Sequence, residues 1–302
     1  MAKVFANKAY NMTKYDFNSL YSLTELVTHA GEPYTVKGVT YQDQIEARYN
    51  DGSGSLVLAF PDASTGKLGG FFHSSSSSAS DVWAGIQDFS VDFTQMGNAW
   101  DTPDRADDMA VLERMLSKAD TFKLSNGNDV AMGFGGRDTM NGNGGSDRLF
   151  GGNGNDSVHG GKGDDKLFGE DGADTLVAGA GSDSLNGGGG KDILIGGTDG
   201  QRDVFVFQDW LDSMPGSAHD EIRNFTRGVD DINLRAVDAD ENSTESNEAF
   251  HWSGKSADEY SVWWKGTSGG VLLRADVSGD GVYEFEIFVK GVDRLSESDL
   301  IL

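Results

Sequence analysis

Eight aspartates stand nine residues apart: Asp129, Asp138, Asp147, Asp156, Asp165, Asp174, Asp183 and Asp192. Two residues before each is a glycine, namely Gly127, Gly136, Gly145, Gly154, Gly163, Gly172, Gly181 and Gly190. Two residues after each is an apolar side chain: Ala131, Met140, Leu149, Val158, Leu167, Leu176, Leu185 and Leu194. A carboxylate repeated in phase with a glycine bend is the chemistry of a hard cation. Glycine reaches backbone angles that strain other residues, and the bends aim carbonyl oxygens into a shared space to which the aspartate adds its own. Calcium takes six to eight oxygens at ~2.3–2.6 Å, so mixed carbonyl and carboxylate cages suit it.

The period dictates the element that must position these groups. Six residues of each nonapeptide form a tight turn and three form a short strand. Two nonapeptides make one coil, so turns n and n+2 stack in a row. Eight turns give two rows of four with three gaps each, which predicts roughly six calcium ions, with the end sites weaker. The apolar eighth residue is expected to point away from the cage, into the roll. A single repeat buries little, and only stacking supplies a core. Without calcium the aligned carboxylates repel and the segment is expected to be disordered. A glycine-rich linker would not hold aspartate and an apolar residue in phase over the 72 residues from Leu124 to Ile195. A ninth copy starts at Gly196, is interrupted near Thr198–Gln201 and resumes at Asp203, which makes Asp199 and Asp203 further candidate end ligands.

The 302 residues suit two or three modest domains. The net charge of −25 is spread along the chain, and no segment is basic: residues 1–123 carry 16 acids and 10 bases, 124–204 carry 13 and 6, and 205–302 carry 20 and 8. Nucleic acid is therefore not an expected partner. Cysteine is absent, so ions rather than disulfides must staple the fold. No stretch approaches the ~20 apolar residues of a membrane span, and the first residues lack the apolar segment of a cleavable export leader.

With these residues in hand, the chain resembles the RTX proteins, whose nonapeptide builds a calcium-binding parallel β-roll. Its last third is similar to the serralysin C-terminal domain, through Asp203–Phe207, the Asp220–Leu234 segment DEIRNFTRGVDDINL, the Asp276–Ile287 segment DVSGDGVYEFEI and the terminal Asp299–Leu302. The resemblance implies an all-β-dominated fold. A parallel β-roll at 124–207 would be capped by a small α+β domain at 1–123 and followed by a β-sandwich-like serralysin-type region at 208–302. It also implies export by type I secretion, in which an ABC transporter reads an uncleaved C-terminal signal, and an extracellular location.

The catalytic motifs of such relatives are missing. None of His29, His73, His159, His219 and His251 is followed by glutamate, so there is no HExxH zinc site. Gly266–Gly270 fits G-x-S-x-G at Ser268, but a strand pattern rather than a helix follows it, and no histidine lies beyond His251. A non-catalytic protein is expected. The alternatives are a polysaccharide- or surface-binding module using Trp252, Tyr260, Trp263 and Trp264, and an enzyme with an unfamiliar site in the first 120 residues. Asp276, Ser278 and Asp280 imitate the start of an EF-hand loop, but Ile287 stands where the bidentate glutamate belongs, which reads as an acidic hairpin turn.

Elsewhere the pattern predicts a helix from Asp16 to about Ala30 and strands near Tyr34–Tyr41, Gln44–Tyr49, Ser55–Phe60 and around Phe89–Phe93. A second helix is expected from Thr102-Pro103-Asp104, with Met109, Leu112, Met115 and Leu116 on one face, to cap the open end of the roll. Further strands are expected at Ser261–Trp264, Gly270–Ala275 and Val282–Val289, with a hairpin turn at Ser268-Gly269-Gly270.

Overall fold

The computed structural model describes residues 116–237 and 249–302 in full and, before them, the backbone of eight strands between Lys3 and Asp92. It divides into two units, Met1–Met140 and Asn141–Leu302.

In the first unit the strands form an antiparallel run in the order Leu23–His29, Asp43–Tyr49, Ser55–Phe60, Lys67–Ser74, Val82–Asp92 and Lys3–Ala6. Tyr34–Val36 and Val39–Tyr41 pair as a separate hairpin. The expected helix up to Ala30 is overturned over its second half: Leu23–His29 is a strand paired with Asp43–Tyr49. The apolar residues of this short stretch fit both periods, and the β-branched Thr24, Val27 and Thr28 favour the pleated choice once a partner strand is available. Lys67–Ser74, which contains Phe71, Phe72 and His73, is a strand that the sequence reading did not assign. The second predicted helix lies outside the described residues as far as 115, and Leu116, expected on its apolar face, is a buried turn residue. Lys3–Ala6 pairs in parallel with Thr121–Lys123, the strand that leads into the repeats, and so covers its edge.

In the second unit the nonapeptides wind as predicted. Strands Arg148–Gly154, Lys166–Gly172 and Ser184–Gly190 stack in parallel, with Leu149 opposite Leu167 and Leu167 opposite Leu185. Ser157–Lys162, Thr175–Ala180 and Ile193–Ile195 form the other sheet, with Val158 opposite Leu176 and Leu176 opposite Leu194. The offset of eighteen residues is one coil of two nonapeptides. Both sheets run on past the repeats. Val204–Val206 and Asp231–Asn233 extend one, and Leu300–Ile301 closes it. Asp220–Arg223 extends the other in parallel and is followed by Phe285–Lys290, Gly270–Ala275, Ser261–Gly266 and His251–Gly254. The sandwich-like layers of the C-terminal region are thus continuations of the roll's two faces.

The core is a file of eighth-position side chains: Leu149, Val158, Leu167, Leu176, Leu185 and Leu194 are fully buried, and Phe205, Ile222 and Ile232 continue the file. Each contributes about 1.5–3 kcal/mol by leaving water. Beyond the roll, Phe207 meets Phe285 edge-on at 5.4 Å. The strand predicted from Val282 begins instead at Phe285, and Val282 is exposed. Asp276 causes the delay, because its carboxylate accepts hydrogen bonds from the backbone N–H of Ser278, Gly279 and Gly281 and holds the preceding residues as a loop.

The second place of every nonapeptide after the first also takes a left-handed backbone. Gly152, Gly161, Gly179 and Gly188 do so without a Cβ, but Phe134, Asn143 and Glu170 do so with one, Glu170 at φ 73°. A side chain in that conformation costs about 1–2 kcal/mol, only partly offset by the chain entropy that glycine loses. Glu170→Gly is therefore expected to stabilise the calcium-loaded protein by about 0.5–1 kcal/mol, measured as a higher midpoint in denaturant. An unchanged or lower midpoint would show that Glu170 makes a compensating contact.

Candidate metal centre

Position six immediately precedes the strand whose second residue is position eight, and extended backbone puts residues two apart on one face. Accordingly Asp165 and Leu167 both point inward, as do Asp174 and Leu176, whereas Lys166 and Phe168 lie outside. This corrects the expectation that the aspartate and the apolar residue face opposite ways. The carboxylates form the inner wall of the turns, flush with the end of the apolar file.

They are joined rung to rung. The backbone N–H of Asp147 donates to Oδ1 of Asp165 at 2.8 Å, that of Asp165 to Asp183 at 2.7 Å, and that of Asp183 to Asp203 at 3.1 Å. On the other side Asp156 donates to Asp174 at 2.7 Å, Asp174 to Asp192 at 2.8 Å and Asp192 to Asp220 at 2.7 Å. In the first unit Asp120 donates in the same way to Asp138 at 2.7 Å. One carboxylate oxygen per rung is thereby fixed.

The second oxygen separates two kinds of rung. Oδ2 of Asp165, Asp174, Asp183 and Asp192 is buried and meets no protein donor. The atoms beside it are acceptors. A Cβ placed on Gly169 would lie 2.4 Å from both Asp174 Oδ2 and the carbonyl oxygen of Gly187, one coil on. At Gly160 the corresponding neighbours are Asp165 Oδ2 at 2.3 Å and the Ala178 carbonyl at 2.7 Å. A donorless carboxylate oxygen and a carbonyl oxygen from adjacent coils face one point here, a seat for a proton or a cation, and this hard-oxygen set fits calcium.

At Asp129, Asp203 and Asp230, by contrast, protein donors take the second oxygen. Asp129 Oδ2 accepts from the backbone N–H of Ser125 at 2.9 Å and its hydroxyl at 2.8 Å. Asp203 Oδ2 accepts from Gly197 at 2.6 Å, and Asp230 Oδ2 from Thr226 at 2.7 Å. Asp199 is exposed and accepts from Gly181 and Gln201.

Seven of the eight fourth-position glycines, Gly136, Gly145, Gly154, Gly163, Gly172, Gly181 and Gly190, adopt φ between 103° and 144°. Gly127 does not, in keeping with the self-closed first turn around Ser125 and Asp129.

Three carboxylates escaped the sequence reading, the first being Asp120, one coil before Asp138. Asp220 and Asp230 continue the two rows after the glycine turns have ended, and Asp203 donates its N–H to Asp230 at 2.9 Å. Asp220 is fully buried with Oδ2 lacking a donor. The signal that survives is the triplet aspartate, any residue, large apolar residue, at Asp203–Phe205, Asp220–Ile222 and Asp230–Ile232.

Burial shifts the proton affinity of the middle rungs. Asp165, Asp174, Asp183 and Asp192 are each raised to about 7, first by desolvation. Hydrogen bonds from the preceding rung pull the other way, and neighbouring aspartates add to the rise. Asp220 is pushed up to about 9 by burial and by the charge of Asp192. A carboxyl whose value rises on folding binds protons as the chain folds. The penalty for ionising the row is absent below the ordinary value of 3.8, grows up to about 7 and is complete above it. In chelator the protein is therefore expected to gain β-structure on acidification from pH 7 towards 4, and calcium binding near pH 7 to release protons. Circular dichroism and proton release in weakly buffered solution measure the two effects. β-structure lost on acidification would refute the assignment.

Other candidates are dispersed. Trp263 and Trp264 are 5% and 8% exposed and, as neighbours in the strand Ser261–Gly266, face opposite sides, so they form no joint stacking platform for a sugar. Ser268 sits in the turn between two antiparallel strands, where Thr267 N–H donates to Gly270 O, and no nucleophile elbow is formed. Ligand atoms of Asp276, Asp280 and Glu284 lie within 4.8 Å of one another, but Asp276 spends its oxygens on backbone N–H groups, and Glu284 accepts from Val277. Among the described residues no helix is long and apolar enough to cross a membrane.

A parallel roll with inward carboxylate rows at each turn defines a calcium-binding β-roll protein. Comparison with known families agrees: residues 117–149, 141–176 and 168–200 match the RTX calcium-binding nonapeptide repeat, and residues 186–302 match the Peptidase M10 serralysin C terminal model. More particularly, then, residues 117–302 are RTX repeats joined to a serralysin-type C-terminal domain, and calcium is their cofactor. No curated protein matches the chain. Among solved structures, the solution structure of the AlgE6R3 subunit from the Azotobacter vinelandii mannuronan C5-epimerase is similar at 28% identity. The match covers 50% of this chain and 80% of that one, with a TM-score of 0.38.

Proposed function

We propose that this is a secreted, non-catalytic calcium-binding protein that crosses the cell envelope unfolded through a type I secretion system and folds outside on calcium. The observation that carries the reading is the row of buried carboxylate oxygens without protein donors at Asp165, Asp174, Asp183 and Asp192. Ions sit between successive rungs in this proposal, with Asp147, Asp156 and Asp220 among the carboxylates that complete the rows and roughly six sites in all. Carbonyls of the glycine turns around Gly136 to Gly190 supply the remaining oxygens. Asp129, with its second oxygen already held by Ser125, is the weakest of the repeat aspartates.

Calcium adds folding free energy because it binds the wound chain and not the unwound one. Where calcium is scarce the carboxylates repel and the chain stays extended, which suits a narrow transporter. Where calcium is plentiful the coils close and the chain cannot slip back. Export would be directed through the C-terminal region, where Leu300–Ile301 pairs with Ile232–Asn233 in the folded protein. Asp299 is held below its ordinary value there: burial alone would raise it, but hydrogen bonds from Ser296 and Gly228 and the charge of Arg227 outweigh that.

Calcium titration followed by circular dichroism tests the folding half. A cooperative rise in β-structure, reversed by chelator, is expected, and a spectrum indifferent to both would reject it. Secretion of a chain lacking the C-terminal region, co-expressed with a type I exporter, tests the route. Undiminished export would reject that half alone.

A further inference from the structure

Asn186 is followed by Gly187, the pair with the least steric protection of a peptide nitrogen. Both lie inside the strand Ser184–Gly190, whose pairing with Lys166–Gly172 runs from Ser184 to Gly190. Asn186 is 7% exposed and stands opposite Phe168 in the parallel register, while Ser184 and Leu185 pair with Val204 and Phe205 on the other side. Gly187 lies against the ladder: a Cβ on it would be 2.3 Å from Asp192 Oδ2 and 2.8 Å from its Cγ. The same arrangement recurs at Asn141–Gly142, where Asp147 Oδ2 is 2.3 Å from the corresponding Cβ position.

We propose that Asn186–Gly187 is a site of spontaneous deamidation that calcium closes, an inference resting on the calcium-dependent folding proposed above. In the unwound chain, solvent base removes the proton of the Gly187 peptide nitrogen. That nitrogen attacks Cγ of Asn186, the N–Cγ bond forms, the Cγ–Nδ2 bond breaks, and ammonia leaves with a proton from water. Water then opens the cyclic imide at either carbonyl, giving aspartate or isoaspartate. Ring closure requires the backbone to rotate Gly187 N towards the side chain. A parallel strand holds ψ near +115°, and the pairing with Lys166–Gly172 on both sides of Asn186 keeps it in that strand, so the wound chain cannot reach the closing geometry without local opening.

The consequence falls on the metal row. Isoaspartate lengthens the main chain by one carbon immediately before the glycine that packs on Asp192, which displaces the turn from its rung. The modified chain is therefore expected to rewind poorly when calcium returns. The chain thus has a limited lifetime while free of calcium, and a longer one once wound.

The test incubates the full chain at mildly alkaline pH with calcium or with chelator. Circular dichroism reports winding, and peptide mass spectrometry follows the gain of one dalton and the isoaspartate isomer at residue 186. Asn186→Ser, which keeps a small polar side chain but has no amide to lose, confirms the peptide assignment. The expected result is a rate at Asn186 slowed by about tenfold or more in calcium. Equal rates in a sample that calcium visibly winds overturn the site while leaving the proposed function intact, as does the absence of any product in chelator. A spectrum that calcium does not change takes down both.

Discussion

Gly172→Ala is expected to unwind the middle of the roll. Gly172 holds φ at +144°, and a Cβ built on it would stand 1.6 Å from the carbonyl oxygen of Gly154, one coil earlier. Neither problem can be relieved locally. The carbonyl belongs to a turn that is itself stacked, and opening the gap by the width of a methyl group would part the strands Arg148–Gly154 and Lys166–Gly172, which lie in register along most of their length. The cost of left-handed backbone alone is about 1–3 kcal/mol, and the steric conflict brings the total to about 4 kcal/mol or more. Gly189→Ala supplies the control. A Cβ there would meet only Asp171 Oδ1, at an ordinary 3.7 Å, and the expected change is within about 0.5 kcal/mol. Calcium-loaded unfolding midpoints in denaturant decide the matter. Equal midpoints for the two variants would mean that the coils are not stacked as described.

Asp174→Asn is expected to move two quantities in opposite directions. The variant keeps an oxygen to accept the Asp156 N–H. Its new amide can donate to the Gly187 carbonyl that now faces a second acceptor beside Gly169. In chelator this replaces a buried, donorless oxygen by a hydrogen bond, worth about 1–3 kcal/mol to the wound state. In calcium the same change withdraws a charged ligand, and the midpoint of the titration is expected to rise by at least about tenfold, in line with the loss caused by disturbing a metal site's partners. Chelator stability and calcium midpoint, measured on one preparation, separate this account from general damage. A variant weaker in both would show that Asp174 is structural only.

The repeat was legible because two constraints of different kind share one period. The carboxylate at place six and the apolar side chain at place eight both depend on the eighteen-residue coil, so Asp165 opposite Asp183 and Leu167 opposite Leu185 follow from spacing alone. What spacing could not give was direction. The cage and core were expected on opposite sides, whereas strand alternation places Asp165 and Leu167 on one side. The continuation to Asp220 and Asp230 was obscured because the glycine turns give way to longer connections. The segment between Asp203 and Asp220 contains the short helices Trp210–Ser213 and Gly216–Ala218, which break the nine-residue count while the strand register survives. Leu23–His29 was misread because seven residues are too few to separate the two periods.

The alternation has a last consequence for how such a molecule can diversify. Everything that winds the chain faces inward, at places six and eight. Places seven and nine look out, the buried Asn186 excepted, and here they hold residues as unlike as Arg148 and Phe150, Ser157 and His159, Lys166 and Phe168, Thr175 and Val177. Phe150 and Phe168 even stack on each other at 4.7 Å with Arg148 over both rings, an ornament the interior does not require. The exterior is a blank page ruled at fixed intervals. Its text can be rewritten without touching the binding of the book.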